Sequence, residues 1–240
     1  MSAKKVVLVT GSSAGIGAAT AARFAAGGYQ VVVNSARSEQ AGKEFAAGLP
    51  DAVYVRGDVS ADAEAIVEGA VAAYGRLDVL VNNAGTTRII PHTDVDAVTP
   101  EVWREILDVN VIGTWEMTRF ALPHLRATGA GAIVNISSIA GSRPAGSSIP
   151  YAVSKASIEH MTRLLAASVG PQVRVNAVAP GLIETEWTKD FVEPRKWMEA
   201  NAPLRRVGVP EDVARAVVDL AEAAYSTGTV LLVDGGTHLR

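Results

Sequence analysis

The chain has 240 residues, 48% of them apolar and 20% charged, with no cysteine and a formal net charge of -3 at pH 7. Without cysteine there is no disulfide framework and no thiolate chemistry, and the scattered basic residues leave no electrostatic footprint for nucleic acid. The length suits one sizeable core, and no stretch is rich enough in Pro, Gly or Ser to act as a linker, so a single domain over 1–240 is expected.

The amino end carries Lys4 and Lys5 before an apolar run, but that run spans only Val6 to Val9 and is too short for a signal peptide. No apolar stretch approaches the ~18 residues of a membrane span. The expectation is a soluble, cytoplasmic protein with no membrane contact.

Apolar, β-branched runs at Val6–Thr10, Gln30–Asn34, Ala52–Val55, Val79–Asn82, Ala132–Ile136, Arg174–Val178 and Thr229–Val233 predict seven buried strands. Helical patterns at Ile16–Ala26, Ala61–Tyr74, Pro100–Leu125, Tyr151–Val169 and Pro210–Ala224 alternate with them. That alternation predicts an α/β fold: one doubly wound, Rossmann-type domain with a seven-stranded parallel sheet. Right-handed crossovers then gather the strand-end loops along one edge, where a ligand would lie.

The first strand runs into Thr10-Gly11-Ser12-Ser13-Ala14-Gly15-Ile16-Gly17. Strand, glycine turn and helix start together present bare N–H groups and the positive end of a helix to an anion such as a pyrophosphate. A glycine-rich loop without a ligand is the plainer reading, and the spacing differs from the common dinucleotide fingerprint.

Further on, Tyr151 and Lys155 stand four apart on a predicted helix, so both project from one face. A fixed cation favours the phenolate and lowers the phenol's pKa, making proton exchange easier near neutral pH. Ser138, brought from a strand end, would hydrogen-bond a substrate oxygen beside the phenol. The spacing alone also suits an ordinary surface pair. His92, His124, His160 and His238 are scattered without metal-ligand spacing, so no metal site is expected, and no Gly-x-Ser-x-Gly elbow suggests a hydrolase.

The glycine turn, Asp58-Val59, Val81-Asn-Asn-Ala-Gly85, Asn110, Ser138, Tyr151 with Lys155, and Pro180-Gly181 stand in the order and spacing of one family. The chain resembles a classical short-chain dehydrogenase/reductase, nearest to the 3-oxoacyl reductase and carbonyl reductase group. The resemblance implies reduction of a ketone or 3-oxoacyl carbonyl to a secondary alcohol. Tyr151 would be the proton donor, Ser138 would hold the oxygen, and Lys155 would bind the nicotinamide ribose. Asn110 would anchor a water in the proton path. Gly11, Ser13, Gly15, Ile16 and Gly17 would hold the pyrophosphate, Asp58 and Val59 the adenine, and Asn83, Ala84 and Gly85 the adenosine ribose. Pro180, Gly181, Ile183 and Thr185 would meet the carboxamide. Residues 186–206, with Trp187, Phe191, Trp197 and Met198, would form the substrate lid, or would staple that segment to the core. A homotetramer or homodimer is implied through the outer faces of the long helices.

At the end of the second strand an acid would bind a ribose 2′-hydroxyl, whereas a basic residue accommodates a 2′-phosphate. The chain has Ser35 and Arg37 there and no carboxylate, which points to NADP (NADPH), with NAD possible; Ala14 lacks the basic side chain common in NADP-preferring relatives. Arg88 and Arg143 are candidates to meet an acidic substrate group, although surface placement suits both. Arg126 matches one basic position of carrier-protein-dependent relatives, whereas Val169-Gly-Pro-Gln172 lacks the second. The alternatives are a sugar or secondary-alcohol dehydrogenase acting oxidatively, and a non-catalytic NADP sensor.

Overall fold

A computed structural model describes residues 4–240. Seven strands, β1 (Val6–Val9), β2 (Gln30–Ser35), β3 (Ala52–Arg56), β4 (Val79–Asn82), β5 (Gly131–Ile136), β6 (Val173–Pro180) and β7 (Val230–Val233), form one sheet in the order β3-β2-β1-β4-β5-β6-β7. Every pairing is parallel. The seven expected strands are all present within a residue or two of their expected ends, and the strand order reverses between β1 and β4. Such a reversal opens a crevice at the carboxyl ends of the strands.

Eight α-helices flank the sheet: α1 (Gly15–Ala26), α2 (Glu39–Ala47), α3 (Ala63–Tyr74), α4 (Pro100–Leu107), α5 (Thr114–Ala127), α6 (Ile149–Val169), α7 (Val192–Asn201) and α8 (Pro210–Glu222). Side chains alternate along each strand, so Val7 and Val9 pack with Phe24 and Val217 beneath α1 and α8. Val6 and Leu8 face Ile66, Met117 and Leu165 on the other side. Burial on both faces is why β1, β2, β4, β5 and β6 read as continuous apolar runs, whereas β7, expected to be buried as well, lies at the sheet edge and leaves Leu231 and Leu232 40% and 36% exposed.

The helices differ from expectation at one place and gain an element at another. The predicted single helix Pro100–Leu125 is interrupted by a π-helical turn, Asp108–Gly113, between α4 and α5. Residues 39–47 form α2, which carries Gly42 in its interior and gives only a short periodic signal. Gly42 is required there because a Cβ would come within 2.3 Å of the Tyr54 ring.

At the opposite edge from the crevice, Arg76 grips buried Asp78 through Nε (2.9 Å) and NH2 (2.6 Å), and Asp78 also accepts the Val6 N–H at 2.8 Å. The carboxylate thereby ties the starts of β1 and β4. Asp78→Ala leaves the Val6 N–H and the half-buried guanidinium unpaired, and it is expected to lower unfolding free energy by about 3 kcal/mol, read as a lower urea midpoint.

Candidate active site

The cleft over the carboxyl ends of the strands encloses about 950 Å³. Every residue expected to bind cofactor lines it: Gly11, Ser13, Gly15, Ile16, Gly17, Ser35, Arg37, Asp58, Val59, Asn83, Ala84, Gly85, Pro180, Gly181, Ile183 and Thr185, together with Ser138, Tyr151 and Lys155. Asn110 alone lies behind the wall.

The glycine turn is held from below. Gly11 and Gly15 have φ of 62° and 57°, in the left-handed region that favours glycine. A Cβ on Gly17 would stand 2.4 Å from the Gly11 oxygen and 2.5 Å from Asn83 Nδ2, so only glycine lets α1 start this close to the turn. Thr10 Oγ1 accepts the N–H groups of Asn83 and Ala84 at 3.0 Å, while Asn83 Nδ2 donates to the oxygens of Thr10 (2.9 Å) and Gly11 (3.0 Å). These bonds clamp the ends of β1 and β4 together at the switch point. Asn34 does the same on the β2 side: its amide donates to Val55 O and Gly57 O at 3.1 Å, and its oxygen accepts Gly11 N–H at 3.3 Å. Thr10 and Asn34 organise the cradle although the sequence marks neither as a site residue.

At the far end of β2 the Ser35 hydroxyl bonds the Tyr54 hydroxyl at 2.9 Å. Arg37 is exposed at the cleft wall. Asp58 lines the cleft, and its Oδ1 accepts Ser60 N–H and Oγ–H at 2.9 and 2.7 Å. Val59 is buried against the π turn, where a Cβ on Gly113 would come 2.8 Å from it.

The reactive end is built on α6. Ser148 caps that helix by accepting the Tyr151 N–H, and Pro150 occupies its first turn, where a missing N–H costs nothing. Tyr151 therefore sits at the positive end of the helix dipole, half-buried in the cleft that Ser138 also lines. Burial pushes the phenol above its ordinary pKa, and the nearby Ser138 hydroxyl opposes that rise. The lowering expected from Lys155 does not reverse that rise: the ammonium lies 5.6 Å from the ring centroid and donates to Ile136 O at 2.8 Å. Lys155 is itself pushed down to about 8 by burial. Ser137 turns away, donating to Lys155 O (3.1 Å) and buried Glu159 (3.2 Å), so of the two serines Ser138 faces the cleft with the phenol.

The π turn explains Asn110. Its extra residue rotates the buried amide inward, where Oδ1 accepts Thr86 N–H at 2.7 Å and Nδ2 donates to Thr86 O (3.0 Å) and Ser154 Oγ (2.9 Å). Ser154 Oγ in turn donates to Tyr151 O at 2.7 Å. The side chain thus knits the chain after Gly85 to the helix bearing Tyr151 and Lys155.

The segment expected as a lid contains a short turn at Glu186–Thr188 and then α7. Its large side chains divide. Met198 is buried with Ala202 and Val207 and fastens the segment, whereas Trp187 and Trp197 remain 46% and 45% exposed and line the cleft with Phe191. Trp187 meets the Tyr151 ring edge-on, with centroids 6.4 Å apart.

A nicotinamide dinucleotide suits this site on structural grounds. The glycine cradle has no room for a Cβ at Gly17, the backbones of Gly11 and Ala84 approach so that a Cβ on the former would lie 2.9 Å from the latter, and one cleft joins that cradle to Tyr151.

Comparison with known proteins agrees. A sequence family described as enoyl-(acyl carrier protein) reductase matches residues 11–238. A provisionally assigned ketoacyl reductase of the granaticin polyketide synthase of Streptomyces violaceoruber is 65% identical over 239 residues, covering 98% of this chain and 96% of that protein. The 3-oxoacyl-[acyl-carrier-protein] reductase of Thermotoga maritima is 39% identical, covering 97% of each. A crystal structure of a provisionally assigned short-chain dehydrogenase/reductase from Burkholderia xenovorans superposes with a TM-score of 0.92 at 35% identity, covering 100% of each chain. By fold, motif order and identity over its whole length, this chain belongs to the short-chain dehydrogenase/reductase family of nicotinamide-dependent oxidoreductases.

Proposed function

We propose that the protein is an NADPH-dependent reductase that converts a ketone or 3-oxoacyl carbonyl to a secondary alcohol. The observation that carries this reading is that one cleft joins the glycine cradle to Ser138, Tyr151 and Lys155, with the lysine one helical turn along from the phenol. The cofactor supplies the hydride. Ser138 and the phenol receive the carbonyl oxygen, Tyr151 delivers the proton, and Lys155 holds the ribose and the charge balance around the phenol. Asn110 fixes the spacing between these groups through Thr86 and Ser154. Trp187, Phe191 and Trp197 keep water from the reacting carbon and favour a bulky or planar substrate. The names of two relatives as ketoacyl reductases support the carbonyl class.

The preference for NADPH rests on Arg37. It stands at the end of β2, where no carboxylate competes for the ribose, and its guanidinium suits a 2′-phosphate. Ser35, engaged by Tyr54, supports the backbone there. Arg37→Ala is expected to raise KM for NADPH about tenfold or more while KM for NADH stays within about twofold. The outer faces of the π turn, α5 and α6 expose Ile112, Trp115, Val153 and Leu164, which supports a homodimer or homotetramer.

The decisive assay offers NADPH and NADH with 3-oxoacyl thioesters, ketones and enoyl thioesters, and NADP or NAD with secondary alcohols and sugars. Carbonyl reduction with NADPH is expected. Activity confined to alcohol oxidation with NAD, or to the enoyl double bond, would falsify the proposal.

A further inference from the structure

The proposed reduction leaves one buried carboxylate and one cleft-lining imidazole unused. Asp234 follows β7 with its side chain only 3% exposed, while His238, four residues on, is 36% exposed and lines the cleft beside Trp197 and Met198. Asp234 Oδ2 accepts His238 Nδ1 at 2.9 Å and His238 N–H at 2.8 Å, and Oδ1 accepts Gly236 N–H at 2.9 Å. Burial opposes charge on this carboxyl, but those donors outweigh it and hold the group below its ordinary pKa. It is a carboxylate at neutral pH, which can only accept, so Nδ1 must carry the hydrogen. Nε2 is the nitrogen on the exposed edge of the ring, and it has no protein partner among the described residues.

The pair stands against the turn proposed to meet the nicotinamide carboxamide. Pro180 of β6 is in register with Val233 of β7, Gly181 N–H donates to Val233 O at 3.0 Å, and a Cβ on Gly181 would lie 2.9 Å from Asp234 Cα. The tail that carries His238 is fixed without help from the ring. Thr237 Oγ1 donates to Asp234 O at 2.6 Å and lies 3.0 Å from Met198 Sδ in α7, and Arg143 NH1 donates to Arg240 O at 2.8 Å. Arg143 is thereby spent on the tail, as Arg88 is on Glu105 at 3.0 Å, so neither arginine that the sequence offers for an acidic group is left unpaired. With the turn already closed by main-chain donors, the Nδ1 bond contributes the direction of the imidazole.

A ring so directed offers a single nitrogen to a cleft whose walls on this side are Trp187, Phe191 and Trp197. One placed polar group among aromatic walls is how a pocket fixes the orientation of an apolar ligand. A hydroxyl suits that nitrogen in either protonation state, donating to bare Nε2 and accepting from Nε2–H. A carbonyl or ether oxygen can only accept.

We infer that His238 is a specificity-determining residue that binds a hydroxyl of the substrate beyond the reacting carbonyl, with Asp234 as its positioning residue. The substrate is then a ketone whose aromatic body carries a hydroxyl. This inference rests on the carbonyl-reductase reading.

The test compares 4-phenylbutan-2-one, its 2-, 3- and 4-hydroxyphenyl derivatives, and the matching fluorophenyl compounds, since fluorine is close to a hydroxyl in size but has no hydrogen to donate. One hydroxy isomer is expected to exceed its fluoro counterpart about 3-fold to 10-fold in kcat/KM with NADPH, chiefly through KM, the worth of one hydrogen bond. His238→Phe is expected to bring that ratio close to one, and His238→Gln, whose amide both donates and accepts, to keep part of it. Asp234→Asn is expected to lower the ratio too, because an amide no longer dictates which ring nitrogen carries the hydrogen. A role confined to holding the tail would depress every ketone alike, lower the melting temperature and leave the ratio intact. Wild-type ratios near one for every isomer, or a ratio that survives His238→Phe, overturn the inference, and turnover of 4-phenylbutan-2-one then leaves the carbonyl reading standing. If none of these ketones is reduced, both readings fall together.

Discussion

Tyr151→Phe is expected to lower turnover by roughly 10²–10⁴-fold, the usual worth of a positioned general acid, while cofactor affinity stays within about twofold. The variant keeps the ring that packs against Trp187 and loses only the hydroxyl. Burial already holds the wild-type phenol above its ordinary pKa in the cofactor-free protein. A phenol held so is protonated at neutral pH, which is the form that the proposed proton donor needs. The stopped-flow rate of NADPH oxidation and fluorescence titration of NADPH give the two readouts. Near-normal turnover in Tyr151→Phe would remove the phenol from the proton path. Lost cofactor binding with lost turnover would show a structural role instead.

Most of this site was legible because its residues sit where strands end. The apolar runs located the strands, alternation with helices made the sheet parallel, and a parallel sheet gathers its strand-end loops on one edge. Local signals sufficed for Gly11, Gly15 and Gly17, whose spacing is itself the turn. What stayed hidden depends on partners distant in sequence. Thr10 clamps Asn83 across 73 residues, and Asn34 reaches Gly57 across 23. The π turn was illegible because Asp108–Gly113 continues a helical pattern, and the inserted residue is stabilised by tertiary bonds from Asn110 to Thr86 and Ser154. Arg88 and Arg143 looked available until Glu105 and the oxygen of Arg240, 17 and 97 residues beyond them, claimed them. The direction of the phenol's shift was hidden for a related reason: the spacing of Tyr151 and Lys155 shows a nearby cation, whereas burial, which raises the pKa, is not visible in sequence.

Lys155→Met is expected to remove activity and, unlike most core substitutions, to stabilise the cofactor-free fold. Burial lowers the ammonium's pKa from its ordinary 10.5 to about 8, so at neutral pH the folded protein carries a charge that it would be more stable without. One pKa unit corresponds to about 1.4 kcal/mol, which puts the penalty on the order of 3 kcal/mol. Losing the bond to Ile136 O offsets roughly 1 kcal/mol, so a net gain of about 1–2 kcal/mol remains. The pH dependence gives a sharper readout. Below about pH 8 the lysine is charged in both folded and unfolded chains, and the penalty is present in full. Between about 8 and 10.5 the unfolded chain binds more protons than the folded one, so wild-type stability rises with pH relative to the variant. Above 10.5 both states are neutral and the penalty is gone. Urea unfolding of both proteins without cofactor, at pH 7 and again near the upper limit, should show the variant's advantage shrinking. A destabilised Lys155→Met at pH 7, or an advantage independent of pH, would mean that the ammonium is balanced by a counter-charge in the folded chain.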